Sequence, residues 1–209
     1  MEIAQLLVEE GANVNAARTT DGQTVLMWAI QEGHLKIAQF LIEEGANVNA
    51  ARMDDGCIAL MRATMYGHLE IAQLLVEEGA NVNAASTDDG ATALMWASQE
   101  GHLEIAQLLV EEGANVNAAR TTDGQTVLMC AIQEGHLKIA QLLVERGANV
   151  NAACTDDGLT ALMWAARDGH LEIVRLLLTS GADKAALTHD GRTAHSLCAG
   201  HPAIRALLA

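Results

Sequence analysis

Aromatic residues supply only 2% of this 209-residue chain, proline occurs once, and acidic side chains outnumber basic ones 27 to 12. Each shortage excludes something. With so few rings, and half of the residues apolar, the interior has to be built from Leu, Ile, Val, Met and Ala. A formal net charge of −15 argues against a nucleic-acid partner, because a phosphate backbone needs clustered Lys and Arg. It is compatible with a basic protein partner, and it also keeps a chain in solution. The four cysteines, Cys57, Cys130, Cys154 and Cys198, form no Cys-x-x-Cys and no close pair. That fits a reduced, cytoplasmic or otherwise intracellular setting better than a disulfide framework. No apolar run approaches the roughly 18 residues of a membrane span. The opening Met-Glu-Ile-Ala-Gln-Leu-Leu-Val-Glu-Glu lacks the basic region of a signal peptide. There is neither a glycine-rich phosphate loop nor a nucleophile beside a base, so no enzyme, cofactor or bound metal is expected.

What the chain has is repetition. Gly-Ala-Asn-Val-Asn-Ala begins at Gly11, Gly45, Gly79, Gly113 and Gly147, at intervals of 34 residues. Asp-Gly keeps the same time at Asp21, Asp55, Asp89, Asp123 and Asp157, and Gly-His at His34, His68, His102, His136 and His170. A fixed period of roughly 20–50 residues marks a solenoid, whose units bury their apolar faces only against their neighbours.

Residues 18–51 serve as the specimen. Thr24 precedes a run of apolar residues and reads as a helix N-cap. Leu26, Ala29 and Ile30 follow at i, i+3 and i+4, giving one apolar face. Gly33-His34 interrupts, and Ile37, Phe40 and Leu41 mark a second helix that Gly45 closes. The remainder is turn chemistry around Asp-Gly, with Val48 as its one large apolar anchor. Helices of about ten residues are marginal alone, so each unit depends on the next.

The strings Asp-Gly-x-Thr-x-Leu-Met-x-Ala, Gly-His-Leu-Glu-Ile-Ala-Gln-Leu-Leu-Val and Gly-Ala-Asn-Val-Asn-Ala resemble the ankyrin repeat family along essentially the whole chain. The resemblance implies an all-α solenoid of stacked helix–loop–helix units with protruding turns or hairpins. It also implies that the repeated histidines order the loops by hydrogen bonding. Two departures stand out. The family's Thr-Pro-Leu-His is Thr-Val-Leu-Met or Thr-Ala-Leu-Met here, which removes the preorganising proline and puts an adaptable methionine in place of histidine. One extra residue also falls in each turn, near Arg18, Arg52, Ser86, Arg120 and Cys154.

The register gives a partial unit over 1–17, full units over 18–51, 52–85, 86–119, 120–153 and 154–186, and a degenerate C-terminal capping unit over 187–209. Residues 2–17 are identical to 70–85 and 104–119, so the chain opens inside a second helix whose first helix is missing. It reads as a piece of a longer array, with its N-terminal edge the least stable part. The second full unit carries Cys57-Ile58 where others have Gln-Thr or Ala-Thr. Ile58 has no oxygen with which to cap, so Ile58→Thr is expected to stabilise.

The units differ mainly on one face of the first helix. Arg62, Met65 and Tyr66 stand where neighbours carry Trp28, Gln31 and Glu32, or Trp96, Gln99 and Glu100; Trp164 begins the last such set. The resemblance places this face in a concave groove that holds partners, and Trp, Tyr and Arg are the types enriched in binding hot spots. The competing reading is that the tryptophans fill the seam between helices. The expected partner site is therefore Trp28, Arg62, Met65, Tyr66, Trp96 and Trp164, with Asp54, Asp55, Asp88 and Asp89 as an acidic rim. His189, His195, Cys198 and His201 have zinc-ligand chemistry, but short Cys/His coincidences are common, and the repeated histidines read as structural. The expected function is a monomeric, non-enzymatic protein–protein interaction module. The alternatives are a recruiting arm of a larger enzyme or membrane protein, or a structural spacer.

Overall fold

The computed structural model describes residues 2–209, and helices alternate in pairs along them. The first helices are α2 (Val25–Gln31), α4 (Ala59–Met65), α6 (Ala93–Gln99), α8 (Val127–Gln133), α10 (Ala161–Asp168) and α12 (Ala194–Leu197). The second helices are α1 (Glu2–Glu9), α3 (Leu35–Glu43), α5 (Leu69–Glu77), α7 (Leu103–Glu111), α9 (Leu137–Glu145), α11 (Leu171–Thr179) and α13 (Pro202–Leu208). Between pairs the chain makes a two-legged turn closed by isolated antiparallel bridges, Ala17 to Thr24, Ala51 to Ile58, Ala85 to Thr92, Ala119 to Thr126 and Ala153 to Thr160. From α2 onward each helix packs on its counterpart in the next unit, forming two rows. The first helices pack more closely among themselves than the second helices do.

The core follows the helical period. Leu26, Ala29 and Ile30 are buried as their spacing predicts, whereas in α3 the buried stripe is Ala38 and Leu41, with Ile37 and Phe40 only half-buried. The small alanine matters because it lets neighbouring second helices approach. The methionines that replace the family's histidine, Met27, Met61, Met95, Met129 and Met163, are all buried to 1% exposure or less. Here that position belongs to the apolar interior, which a flexible thioether fills without a hydrogen-bonding requirement. Thr24, Thr92 and Thr126 cap their helices as expected, accepting the N–H of Met27, Met95 and Met129 at 3.3–3.4 Å.

Ile58 departs from expectation. It has no capping bond, but it is only 4% exposed and sits in the continuous core. A threonine there would gain about 0.5–2 kcal/mol of capping and lose a comparable amount of apolar burial. Ile58→Thr is therefore expected to fall within about 1 kcal/mol of the parent, while Ile58→Ala, which gains no cap, loses about 2–4 kcal/mol. Urea unfolding of the two variants checks the contrast.

Three hydrogen-bond ladders run along the stack and account for the repeated strings. In Gly-Ala-Asn-Val-Asn-Ala the first asparagine is local: Asn47 Oδ1 accepts the Asn49 N–H at 2.9 Å. The second reaches into the next unit, with Asn49 Nδ2 donating to the Gly79 carbonyl at 3.0 Å and its Oδ1 accepting the Asn81 N–H at 2.7 Å. Asn15, Asn83, Asn117 and Asn151 repeat this two-point link. In the Asp-Gly turns, Asp55 Oδ1 accepts the Cys57 N–H at 2.9 Å and the Asp55 carbonyl accepts the Thr87 N–H at 2.8 Å. Three histidines bond across units rather than within their own loops: Nε2 of His68, His136 and His201 lies 3.4, 3.0 and 3.2 Å from the carbonyls of Gln31, Gln99 and Arg167, whereas His170 Nε2 is buried without a hydrogen-bond partner.

Candidate functional site

The first-helix face and the adjoining turn tips gather most of the residues singled out from the sequence, in unequal states of exposure. Trp28 and Tyr66 are each 43% exposed. Arg18 lies over the Trp28 ring, 5.7 Å from its centroid, and Tyr66 stacks on His68 with ring centroids 6.2 Å apart. Trp96 and Trp164 are half-buried against the core, and their indole Nε1 atoms are buried without a hydrogen-bond partner. These two rings are in large part seam fillers, although Arg167 covers the Trp164 ring at 4.1 Å. Met65 is half-buried.

Arg62 is more of an internal strut than a free hot spot. Its side chain is only 12% exposed, its Nε is buried without a partner, and Nη2 reaches Asp55 Oδ2 at 3.4 Å. Asp55 also sits 3.2 Å from Arg52 Nη1, so one carboxylate joins a turn to the first helix behind it. The extra turn residue thus has a use. Arg18 pairs with Asp21, and Arg52 pairs with Asp54 and Asp55. Ser86 donates to Asp89, and Arg120 reaches back to Asp89 of the preceding turn at 3.6 Å.

Of the acidic rim, Asp55 and Asp89 are therefore turn staples, half-buried and turned inward, whereas Asp54 and Asp88 are exposed. The Arg18 guanidinium, bonded to Asp21, holds that carboxyl well below the usual range. For Asp89, burial pushes upward, but hydrogen bonds from Ser86 and the Ala91 N–H, with Arg120 nearby, outweigh it and leave the group below its ordinary value.

His189, His195, Cys198 and His201 do not converge. His189 Nδ1 is 3.1 Å from the Asp156 carbonyl, Cys198 Sγ lies 3.1 Å from the His195 carbonyl, and His201 faces Arg167. Among the described residues, the one grouping with ligand atoms mutually within 4.8 Å is Cys154, Asp156 and Asp157. In the sequence it was visible only as a cysteine replacing the usual arginine or serine ahead of an Asp pair.

All four cysteines are buried and unpaired. Burial pushes the Cys57 thiol up to about 12 and the Cys130 and Cys154 thiols up to about 11. Unfolded thiols ionise from about pH 8.5, so above that pH the unfolded chain binds fewer protons than the folded one and stability falls. Urea midpoints are expected to drop between pH 9 and 11. At pH 8, a thiol reagent should label Cys57, Cys130 and Cys154 no faster than the chain unfolds, as site-resolved mass spectrometry would establish.

No helix among the described residues is long and apolar enough to cross a membrane. No curated protein matches the chain. A family model for ankyrin repeats in three copies matches residues 1–86, 50–120, 84–154 and 151–209. These repeats are in general protein–protein interaction modules, typically without enzymatic activity. With its two helical rows, its protruding turns and matches that run from end to end, the chain belongs to the ankyrin repeat family.

Proposed function

We propose that this chain is a non-enzymatic binding module that holds a basic protein segment along the groove between the first helices and the turn tips. One observation carries the reading. The arginines on this side, Arg18, Arg52, Arg62, Arg120 and Arg167, all lie within ion-pair reach of an aspartate. Exposed carboxylates at the ends of the first helices and at the turn tips, Glu32, Glu100, Glu134, Asp88 and Asp156, have no ion-pair partner among the described residues. Among the described residues the groove therefore offers negative charge and no arginine without an aspartate beside it. Such a field favours positively charged partners, speeds their encounter at low salt and disfavours acidic competitors.

Within this field, Tyr66 and Trp28 supply the exposed flat apolar area of the groove, the kind of anchor that interfaces use. Asp54 and Asp88 form the rim. Arg62, Met65, Trp96 and Trp164 shape the wall, and Asp55 and Asp89 hold the turns in place. Arg62→Ala would remove a strut as well as a contact surface, so Tyr66→Ala is the cleaner probe.

The test uses two labelled peptides of equal length, one rich in Lys and Arg and one rich in Asp and Glu, titrated against the full chain by fluorescence anisotropy. The basic peptide is expected to bind, with affinity falling as the Debye length shrinks from about 20 Å to about 8 Å with added salt. Tyr66→Ala is expected to weaken it about tenfold, roughly 1.4 kcal/mol, with helicity unchanged. Equal binding of both peptides, or parent affinity in a Tyr66→Ala and Trp28→Ala double variant, would overturn the reading.

A further inference from the structure

The residues that end the first helices carry a pattern of their own. Glu32, Tyr66, Glu100, Glu134 and Asp168 stand at intervals of 34 residues, where α2, α4, α6, α8 and α10 stop, and all five are exposed. Glu32, Glu100 and Glu134 have no ion-pair partner among the described residues. Asp168 is neutralised within its own unit, because Arg167 Nε lies 2.9 Å from its Oδ1. Tyr66 interrupts the acidic series with a ring that is 43% exposed. From α2 to α8 the row therefore reads carboxylate, ring, carboxylate, carboxylate.

The helices that carry this row pack side by side, α2 on α4, α4 on α6 and α6 on α8. Packed helices lie about 8–10 Å apart, so equivalent positions on them repeat at about that distance. A partner that meets every position has to return a side chain to one of its own faces at the same interval. A β-strand returns to a face every second residue, about 7 Å, and falls out of step within one unit. An α-helix returns at about 5.4 Å, or at about 10.5 Å over seven residues, on either side of the range. A polyproline II helix has three residues per turn and rises about 3.1 Å per residue, so it returns every 9 Å or so. Of the three, only this one keeps step with the row.

We propose that the groove takes a polyproline II segment with a cationic side chain at every third position, interrupted once by an apolar residue opposite Tyr66. Three cations face Glu32, Glu100 and Glu134. The apolar residue, proline in the simplest case, lies on the Tyr66 ring, as such helices dock on aromatic side chains elsewhere. A preformed helix without internal hydrogen bonds also loses little freedom on binding. The proposal rests on the acidic-groove reading above and narrows it from any basic segment to one spacing and one register.

Anisotropy titrations of the full chain at low salt test the spacing with Arg-Pro-Pro-Pro-Pro-Pro-Arg-Pro-Pro-Arg and with its reversed sequence. The control has the same composition with its arginines adjacent, so charge, length and proline content are equal. One of the two spaced peptides is expected to bind about tenfold more tightly than the control, as several exposed ion pairs held at once would give. A cycle reads the register, since the middle arginine faces Glu100 in either direction. Replacing that arginine by glutamine is expected to weaken binding to the parent chain about threefold and to change nothing in Glu100→Gln, where the outer arginines keep their effect. Equal affinity for spaced and adjacent arginines overturns this proposal and leaves the acidic groove standing. Failure of every basic peptide to bind overturns both. A middle arginine that matters as much in Glu100→Gln as in the parent overturns the proposal even where the spacing holds.

Discussion

Replacing Leu109 by alanine is expected to cost about 3–5 kcal/mol, while the identical replacement at Leu7 costs less than about 0.5 kcal/mol in the single chain. The two leucines occupy the same place in identical 16-residue segments, so local propensity, rotamer preference and unfolded-state contributions are matched. Only burial differs, 0% exposure for Leu109 against 55% for Leu7. Leu109 lies on α7, which packs on α6 in its own unit and on α5 and α9 to either side. Its truncation opens a cavity that three elements would have to collapse to fill. Leu7 has no such surroundings, and α1 buries no residue at all. Urea unfolding of the two variants measures both. Equal costs would mean that α1 is packed as tightly as the interior helices. A small cost at Leu109 would mean that a solenoid with so much alanine in its helices relaxes around voids.

Much of this architecture was legible because the same signals recur at one fixed interval. Threonine before the first helix, the i, i+3, i+4 apolar pattern and the Asp-Gly turn each fold locally, and each is read from a few residues. The cross-unit bonds were not legible in that way. Asn49 looks like an ordinary turn residue until its amide is seen holding both the Gly79 carbonyl and the Asn81 N–H. His68 looks like a loop organiser until its ring is found against the Gln31 carbonyl of the preceding unit. A local reading assigns such residues to their own unit, yet their partners lie some thirty positions away. Ile58 failed for the related reason that a capping position can also be a core position. On the candidate site, the uneven face of the first helices was visible as a pattern of substitutions. That Arg62 is tied to Asp55, and that Trp96 and Trp164 serve largely as wall, depended on side-chain packing that composition does not encode.

The histidine ladder leads to the other large effect, at Gly101. Gly101→Ala is expected to cost about 3 kcal/mol or more, against about 1 kcal/mol for Gly113→Ala, although both glycines have a left-handed backbone that penalises a Cβ by about 1–2 kcal/mol. Their φ values are alike, +77° and +83°. Around Gly113 an added Cβ meets nothing within 4 Å, so strain is the whole cost. At Gly101 it would stand 2.5 Å from His136 Cε1 and 2.9 Å from both ring nitrogens. That ring cannot simply swing aside, because its Nε2 bonds the Gln99 carbonyl at 3.0 Å. Moving it forfeits about 0.5–1.5 kcal/mol of hydrogen bond and forces the kind of overpacking that costs about 1–3 kcal/mol. The damage falls on the contact between two units, so cooperativity should suffer as well as stability, since a solenoid is held together by its nearest-neighbour interfaces. A double-mutant cycle isolates the cause: in a His136→Ala background, Gly101→Ala should cost only its backbone strain, about 1 kcal/mol. If the cost stays at 3 kcal/mol without the ring, then the histidine is not what reserves this position for glycine. If instead Gly113→Ala proves as costly as Gly101→Ala, backbone strain alone governs both turns, and the packing of each histidine on the preceding glycine contributes nothing to the join between units.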